Sequence, residues 1–214
     1  MELSRRLRAV ASYVDKGAVV YDVGSDHALI PCYLVANGIC EKVYAGDNKE
    51  GPLDNALVNI ERYGLQDKVI PVLADGLSDV AEDVDTVIVS GMGVNTAIAI
   101  FEREDLSRFK KIIVQVNKDT DQLRQYISDH HYTILDECVV LDDFFYEIVV
   151  FNTAEHPEYD KLQINYGPFN LIRDDRVFRA YLSDKYAKLN EIFLMSFRKD
   201  IREKLEEIES LDII

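Results

Sequence analysis

The chain has 214 residues, with 24 Lys and Arg against 39 Asp and Glu for a formal net charge of −15 at pH 7, and 48 % hydrophobic residues without Trp. That length suits one α/β domain plus a small appendage, and the apolar content supplies a sizeable core. No apolar run approaches the ~18 residues of a membrane span, and the start, Met1-Glu2-Leu3-Ser4-Arg5-Arg6, lacks the apolar core of a signal peptide. Cys32, Cys40 and Cys138 show no paired spacing, so a cytoplasmic protein with neither a disulfide framework nor a metal site is expected.

The acidity counts against a nucleic-acid partner, because phosphate contacts draw on Lys and Arg. Its distribution softens that objection: residues 170–214 hold 9 basic against 10 acidic side chains, and residues 1–169 hold 15 against 29. One local basic face would still hold RNA.

In chain order, Leu3 to Tyr13 is helix-like and precedes an apolar run from Ala18 to Val23 that reads as a buried strand. Ala28 to Asn37 is helix-like and stops at Gly38. Val43 to Gly46 is a short strand, and Pro52 fits the first turn of a helix ending near Gly64. Val69 to Leu73 follows as a strand whose Pro71 favours the sheet edge. Thr86 to Ser90, a helix from about Asn95, Ile112 to Val114, and a helix from Asp119 to His130 continue the alternation. Two extended segments, Tyr132 to Leu141 and Phe145 to Asn152, flank a hairpin signal at Asp142-Asp143.

Five βα alternations and a terminal hairpin imply a mostly parallel sheet with one antiparallel strand near an edge. That outline resembles the Rossmann-like sheet of class I methyltransferases. The sheet domain spans residues 1–154 and a linker with Pro157 and Pro168 spans 155–169. A helical, coiled-coil-like appendage covers 170–214, turning helical from about Asp174. Ile201, Leu205, Ile208 and Leu211 form a narrow stripe. One long helix and a helical hairpin are both open there, the hairpin favoured.

Ligands of open α/β sheets lie beyond the carboxyl ends of the strands. After the first strand comes Asp22-Val23-Gly24-Ser25-Asp26-His27, where Gly24 permits a sharp turn into a helix with free N–H groups. After the second come Asp47 and Asn48; the acid, 23 residues beyond Gly24, is spaced to bind ribose hydroxyls. After the third come Asp75 and Gly76, placed for an adenine amino group. After the fourth come Gly91, Met92 and Gly93, small enough to admit a methionine moiety. An adenosine-containing ligand fits all four. A dinucleotide would want more glycines, and Asp26 sits where its phosphates would lie. The cationic sulfonium and ammonium of S-adenosylmethionine suit Asp22 and Asp26.

Leu3-Ser4-Arg5-Arg6-Leu7, Gly24-Ser25-Asp26-His27-Ala28 with Pro31-Cys32-Tyr33, Glu50-Gly51-Pro52, Asp75-Gly76-Leu77, Gly91-Met92-Gly93 and Tyr146-Glu147-Ile148 resemble the bacterial tRNA (adenine-22-N1)-methyltransferases. The similarity continues through Tyr166-Gly167-Pro168 into the C-terminal helices. The resemblance implies a Rossmann-like catalytic domain, a helical appendage, S-adenosyl-L-methionine as cofactor and a tRNA adenine N1 as target. Val94-Asn95 and Gln115-Val116-Asn117 depart from the family's usual glycine and Gln-Pro-Asn, on the expected substrate side, and Asp47 stands where Glu is usual.

Adenine N1 already has a lone pair, so positioning and base exposure outweigh general-base work. Asn117 is the candidate for the adenine edge, Asp26 for organising the loop or taking a later proton, and His27 for either. Candidate RNA contacts are Arg5 and Arg8, Lys118 and Arg124, and Arg173, Arg176 and Arg179 at three-residue intervals. The expected partner is tRNA, with no membrane or metal and the monomer favoured. A methyltransferase of a small molecule or protein, an NAD-dependent oxidoreductase and a non-catalytic RNA-binding homologue stay open.

Overall fold

A computed structural model describes residues 1–173 and 175–211. Seven strands form one sheet: β1 (Val20–Val23), β2 (Val43–Asp47), β3 (Val69–Leu73), β4 (Thr86–Met92), β5 (Lys111–Val116), β6 (Tyr132–Leu141) and β7 (Phe145–Glu155). Their order is β3-β2-β1-β4-β5-β7-β6. All pairs from β3 to β5 are parallel, and β7 runs antiparallel to β5 and β6. Pro71 lies on the edge strand β3, where a missing N–H interrupts no ladder.

Every residue of β1 is buried, because helices cover both faces of the sheet. Strand alternation sends Tyr21, Val23, Val87, Val89, Ile112 and Val114 to one face. There they meet α4 (Val94–Phe101) and α5 (Thr120–Asp129). Val20, Val43, Ala45, Ile88, Ile113 and Val150 point to the other face, against α1 (Arg5–Ser12), α2 (Leu29–Ala36) and α3 (Glu50–Arg62). Each such side chain contributes about 1.5–3 kcal/mol relative to exposure. Val94 and Val116, expected on the substrate side, are 4 % and 2 % exposed and belong to the first of these clusters. Their apolar side chains pack the core, and Val116 also lines a cleft beside Asn117.

The segment expected to be a linker is structured. It holds the end of β7, then α6 (Lys161–Tyr166), and Pro168 begins α7 (Pro168–Arg173). A reciprocal capping box between Asp160 and Gln163 starts α6. The onset expected near Asp174 falls on a residue outside the described ones; α8 runs Arg176–Ser196 and α9 Lys199–Glu209, a hairpin. Asp175 caps α8 by accepting from the Val177 and Phe178 N–H groups. Phe178, Leu182 and Ile208 form a third cluster with Val139 of β6 and Tyr166 of α6, seating the hairpin on the sheet domain.

Candidate active site

Gly24 leaves β1 with φ of 69°. Beneath the turn, the Ser25 hydroxyl donates to Asp22 Oδ2 at 2.5 Å and the Ser25 N–H to the Gly46 carbonyl at 2.9 Å. Asp22 is only 5 % exposed. Burial pushes its carboxyl up to about 7, against the opposing hydrogen bond from Ser25. The carboxyl expected to meet a cofactor cation is thus buried, with the Ser25 hydroxyl of the turn as its hydrogen-bond donor. Asp26, by contrast, is exposed.

His27 and Ala28 adopt left-handed φ values of 65° and 46°, a conformation costing a non-glycine residue about 1 kcal/mol or more. Two side chains of α3 hold the loop: Asn59 donates to the His27 carbonyl at 2.9 Å and Asn55 to Asp26 Oδ1 at 3.3 Å. Sequence inspection missed both, although polar residues four apart share a helix face. His27 Nε2 stands 3.6 Å from Asp26 Oδ2.

Asp47 ends β2 half-buried, with Oδ1 accepting the Lys49 N–H at 3.1 Å and Asn48 exposed beside it. Oδ2 has no hydrogen bond among the described residues. Gly46 is required because an added Cβ would overlap the Tyr21 hydroxyl, which is buried without a partner. Beyond β3, Asp75 Oδ2 accepts from Arg103 Nη1 at 2.8 Å, so the candidate adenine acceptor already holds an exposed cation. Gly76 turns with φ of 66° against Ile100.

At the end of β4 the register shifts between Ser90 and Met92, around Gly91 with φ of 83°. Asn117 Nδ2 donates to the Gly91 carbonyl and its backbone N–H to Met92, each at 3.0 Å. Met92 Cε stands 3.5 Å from where a Cβ on Gly24 would be. Gly24, Gly91, Met92 and Asn117 thus come together, with Gly93 capping α4. Arg6, which sequence inspection placed in the family-like motif Leu3 to Leu7 without a site role, has Nη1 3.7 Å from a Cβ built on Gly91.

The basic candidates divide. Arg5, Arg8, Lys118 and Arg176 are exposed. Arg124 is not: it is 0 % exposed, with Nε donating to Glu137 at 2.9 Å and Nη2 to Glu147 at 2.5 Å. A guanidinium so enclosed offers no charge to RNA, and that expectation is corrected. Arg173 donates to Asp136 and to the Glu137 carbonyl. It belongs to α7, whereas Arg176 and Arg179 belong to α8, so the three-residue repeat is not one helix face. Between the loop after β5, the β6–β7 hairpin and the C-terminal helices runs a cleft of about 510 Å³. Its lining includes Asn117, Lys118, Phe144, Tyr146, Lys185, Lys188 and Lys204.

Among the described residues no three or more His, Cys, Asp or Glu group to hold a metal, and no helix is long and apolar enough to cross a membrane. A methyltransferase-domain family model matches residues 3–149. The tRNA (adenine(22)-N(1))-methyltransferase of Bacillus subtilis is 30 % identical over 187 residues, covering 83 % of this chain and 79 % of that protein. The Streptococcus pneumoniae protein Sp1610, solved with S-adenosyl-L-methionine, superposes with a TM-score of 0.91 at 32 % identity over 98 % of this chain and 99 % of that one. TrmK of M. capricolum, solved with S-adenosyl-homocysteine, gives 0.86 at 26 % identity over the whole of both chains. The chain belongs to the tRNA (adenine(22)-N(1))-methyltransferase family.

Proposed function

We propose that the chain is a cytoplasmic, S-adenosyl-L-methionine-dependent methyltransferase acting on N1 of adenine 22 in tRNA. The observation that carries this is the convergence of the Gly24 turn, Met92 and Asn117 at the ends of β1, β4 and β5, on a chain similar to relatives solved with that cofactor and its product. The donor set suits the cofactor. Gly24, Gly91 and Gly93 leave a side-chain-free surface, and Asp47 keeps one carboxylate oxygen for ribose hydroxyls. Asp26 is an exposed acid for a cation. When bound, S-adenosyl-L-methionine supplies an electrophilic methyl group.

Asn117 spends Nδ2 on Gly91, which leaves Oδ1 to accept from the adenine amino group. Gripping that edge orients N1, whose lone pair needs no base before it attacks. Asp26, with His27 beside it, organises the loop and takes the proton shed afterwards. Asp75 meets the adenosine amino group by exchanging Arg103 for it. N1 is hidden in a paired helix, so the nucleotide must leave the stack. The cleft receives it, with Phe144 and Tyr146 for stacking and Lys118, Lys185, Lys188 and Lys204 for phosphates.

The test incubates the protein and labelled S-adenosyl-L-methionine with unmodified bacterial tRNA and maps the modified base. Label at N1 of adenine 22 is expected; label in another acceptor and none in RNA would refute the tRNA assignment. Asp47→Ala is expected to weaken S-adenosyl-homocysteine binding about tenfold or more, because it removes two charge-assisted hydrogen bonds. Unchanged affinity would remove Asp47 from the ribose site.

A further inference from the structure

We propose that Arg6 is an oxyanion-binding residue at the methyl-transfer end of the site, a proposal that rests on the site assignment above. Arg6 is half-buried on α1, and its guanidinium reaches the ends of β4 and β5. Nη1 donates to Gln115 Oε1 at 2.5 Å and to Ser90 Oγ at 3.3 Å, while Cζ lies 5.3 Å from the centre of the Tyr146 ring. Gln115 is fully buried, and its Nε2 donates to the Val116 carbonyl at 2.8 Å, which fixes Oε1 toward Arg6. The guanidinium is therefore held in place before any ligand arrives.

What holds it carries no charge. Among the described residues no carboxylate forms an ion pair with Arg6, and neither Nε nor Nη2 has a hydrogen-bond partner. Arg103, Arg124, Arg173, Arg198 and Arg202 each pair with a carboxylate. Among the described residues Arg108 likewise donates only to carbonyls, those of Val80 and Ala81, but acids are abundant in a chain of net charge −15, so scarcity does not explain why Arg6 lacks one. A neighbouring acid, Asp142, accepts from the backbone N–H of Arg6 at 3.1 Å and so caps α1. A partly buried charge with no ion-paired carboxylate is costly; Asp142 feels Arg6 without pairing with it, and the guanidinium lies beside Gly91, with Nη1 3.7 Å from a Cβ built there. A bound oxyanion would supply the missing charge and fill the planar donor fork.

Two oxyanions reach this end of the site: the carboxylate of the cofactor's methionine portion and a phosphodiester of the RNA beside the target base. Calorimetry with S-adenosyl-homocysteine and with 5′-methylthioadenosine, which lacks the amino-acid portion, separates them when combined with KM for tRNA. If Arg6→Gln weakens S-adenosyl-homocysteine about tenfold or more and spares 5′-methylthioadenosine, the carboxylate is the ligand. If both compounds bind unchanged and KM for tRNA rises about tenfold with a shallower salt dependence, the phosphodiester is the ligand. Arg6→Lys keeps the charge without the fork, and a weakening of about threefold is expected in the same measurement; it decides the matter should Arg6→Gln fail to fold. Unchanged S-adenosyl-homocysteine affinity and unchanged tRNA KM, with an unaltered melting temperature, overturn the proposal. Should the wild-type protein bind S-adenosyl-homocysteine yet methylate no tRNA, the tRNA assignment falls while the cofactor measurement still judges Arg6.

Discussion

Asp22 is an acid buried in β1 beneath the Gly24 turn, with the Ser25 hydroxyl as its hydrogen-bond donor. Burial raises its native pKa to about 7 from the ordinary 3.8. Between those values the native chain holds a proton that the unfolded chain has released. The native state thus binds more protons, and stability falls as pH rises through this window. The contribution is fully present below about 4 and lost above about 7. The full change is on the order of 4 kcal/mol. Asp22→Asn keeps an acceptor for Ser25 and removes the titration. Denaturant midpoints of the two proteins should converge below pH 4, with the variant the more stable at pH 8. Parallel curves across that range would show that Asp22 titrates normally.

At the scale of elements, Arg124 joins α5 to β6 and β7 through Glu137 and Glu147, and its Nη1 donates to the Ile164 carbonyl of α6. Glu137 Oε1 also accepts from the Phe169 N–H of α7, and the Tyr181 hydroxyl of α8 donates to Glu147. Burial pushes the Glu137 carboxyl up. Burial also acts on Glu147, but Arg124 and Lys185 outweigh it and hold that carboxyl low. Gly167 is required here because a Cβ would overlap the Glu137 carboxylate. Arg124→Met leaves two buried acids without their cation and should cost about 3–5 kcal/mol, read as a lower denaturation midpoint. Adding Glu137→Gln and Glu147→Gln should recover much of that stability; no recovery would mean that packing of the guanidinium, not its charge, matters.

The same hub shows where the sequence was legible. Apolar runs and alternation mark the βα units, Pro71 marks the edge strand, and Asp142-Asp143 marks the hairpin, because each is a local constraint on backbone or burial. Arg124 looked like a surface cation because the acids that enclose it lie 13 and 23 positions away and arrive only through sheet pairing. Arg6 stood in a family-like motif, but its place at the strand ends was hidden for the same reason: Gln115 is 109 positions distant. The stretch from 155 to 169 is different. Asp160 followed three residues later by Gln163 is a local helix-start signal, and the prolines on either side masked it.

The whole molecule must reconcile a net charge of −15 with an RNA substrate. A chain with 29 acids against 15 basic side chains in residues 1–169 repels a polyanion over most of its surface. Binding must then rest on a few cations, and the cleft supplies four lysines from separate elements, set among the acids Asp119, Asp121, Asp143, Glu147, Asp184 and Glu207. Lys118 comes from the loop after β5, Lys185 and Lys188 from α8, and Lys204 from α9. Lys188 is partly neutralised by Asp184 at 2.6 Å, and Lys185 lies over the Tyr166 and Tyr181 rings. Lys118 and Lys204 are exposed and both line the cleft, Lys118 with Asp119 at 3.9 Å. Reversing both, Lys118→Glu with Lys204→Glu, should raise KM for tRNA at least tenfold. It should also flatten the dependence of log KM on log salt by roughly 0.7–0.9 for each phosphate that is no longer neutralised. Affinity for S-adenosyl-homocysteine, measured by calorimetry, should not change, because neither lysine adjoins the Gly24 turn. An unaltered salt slope would place the RNA on another face, and Arg5, Arg8 and Arg176 would be the next cations to reverse.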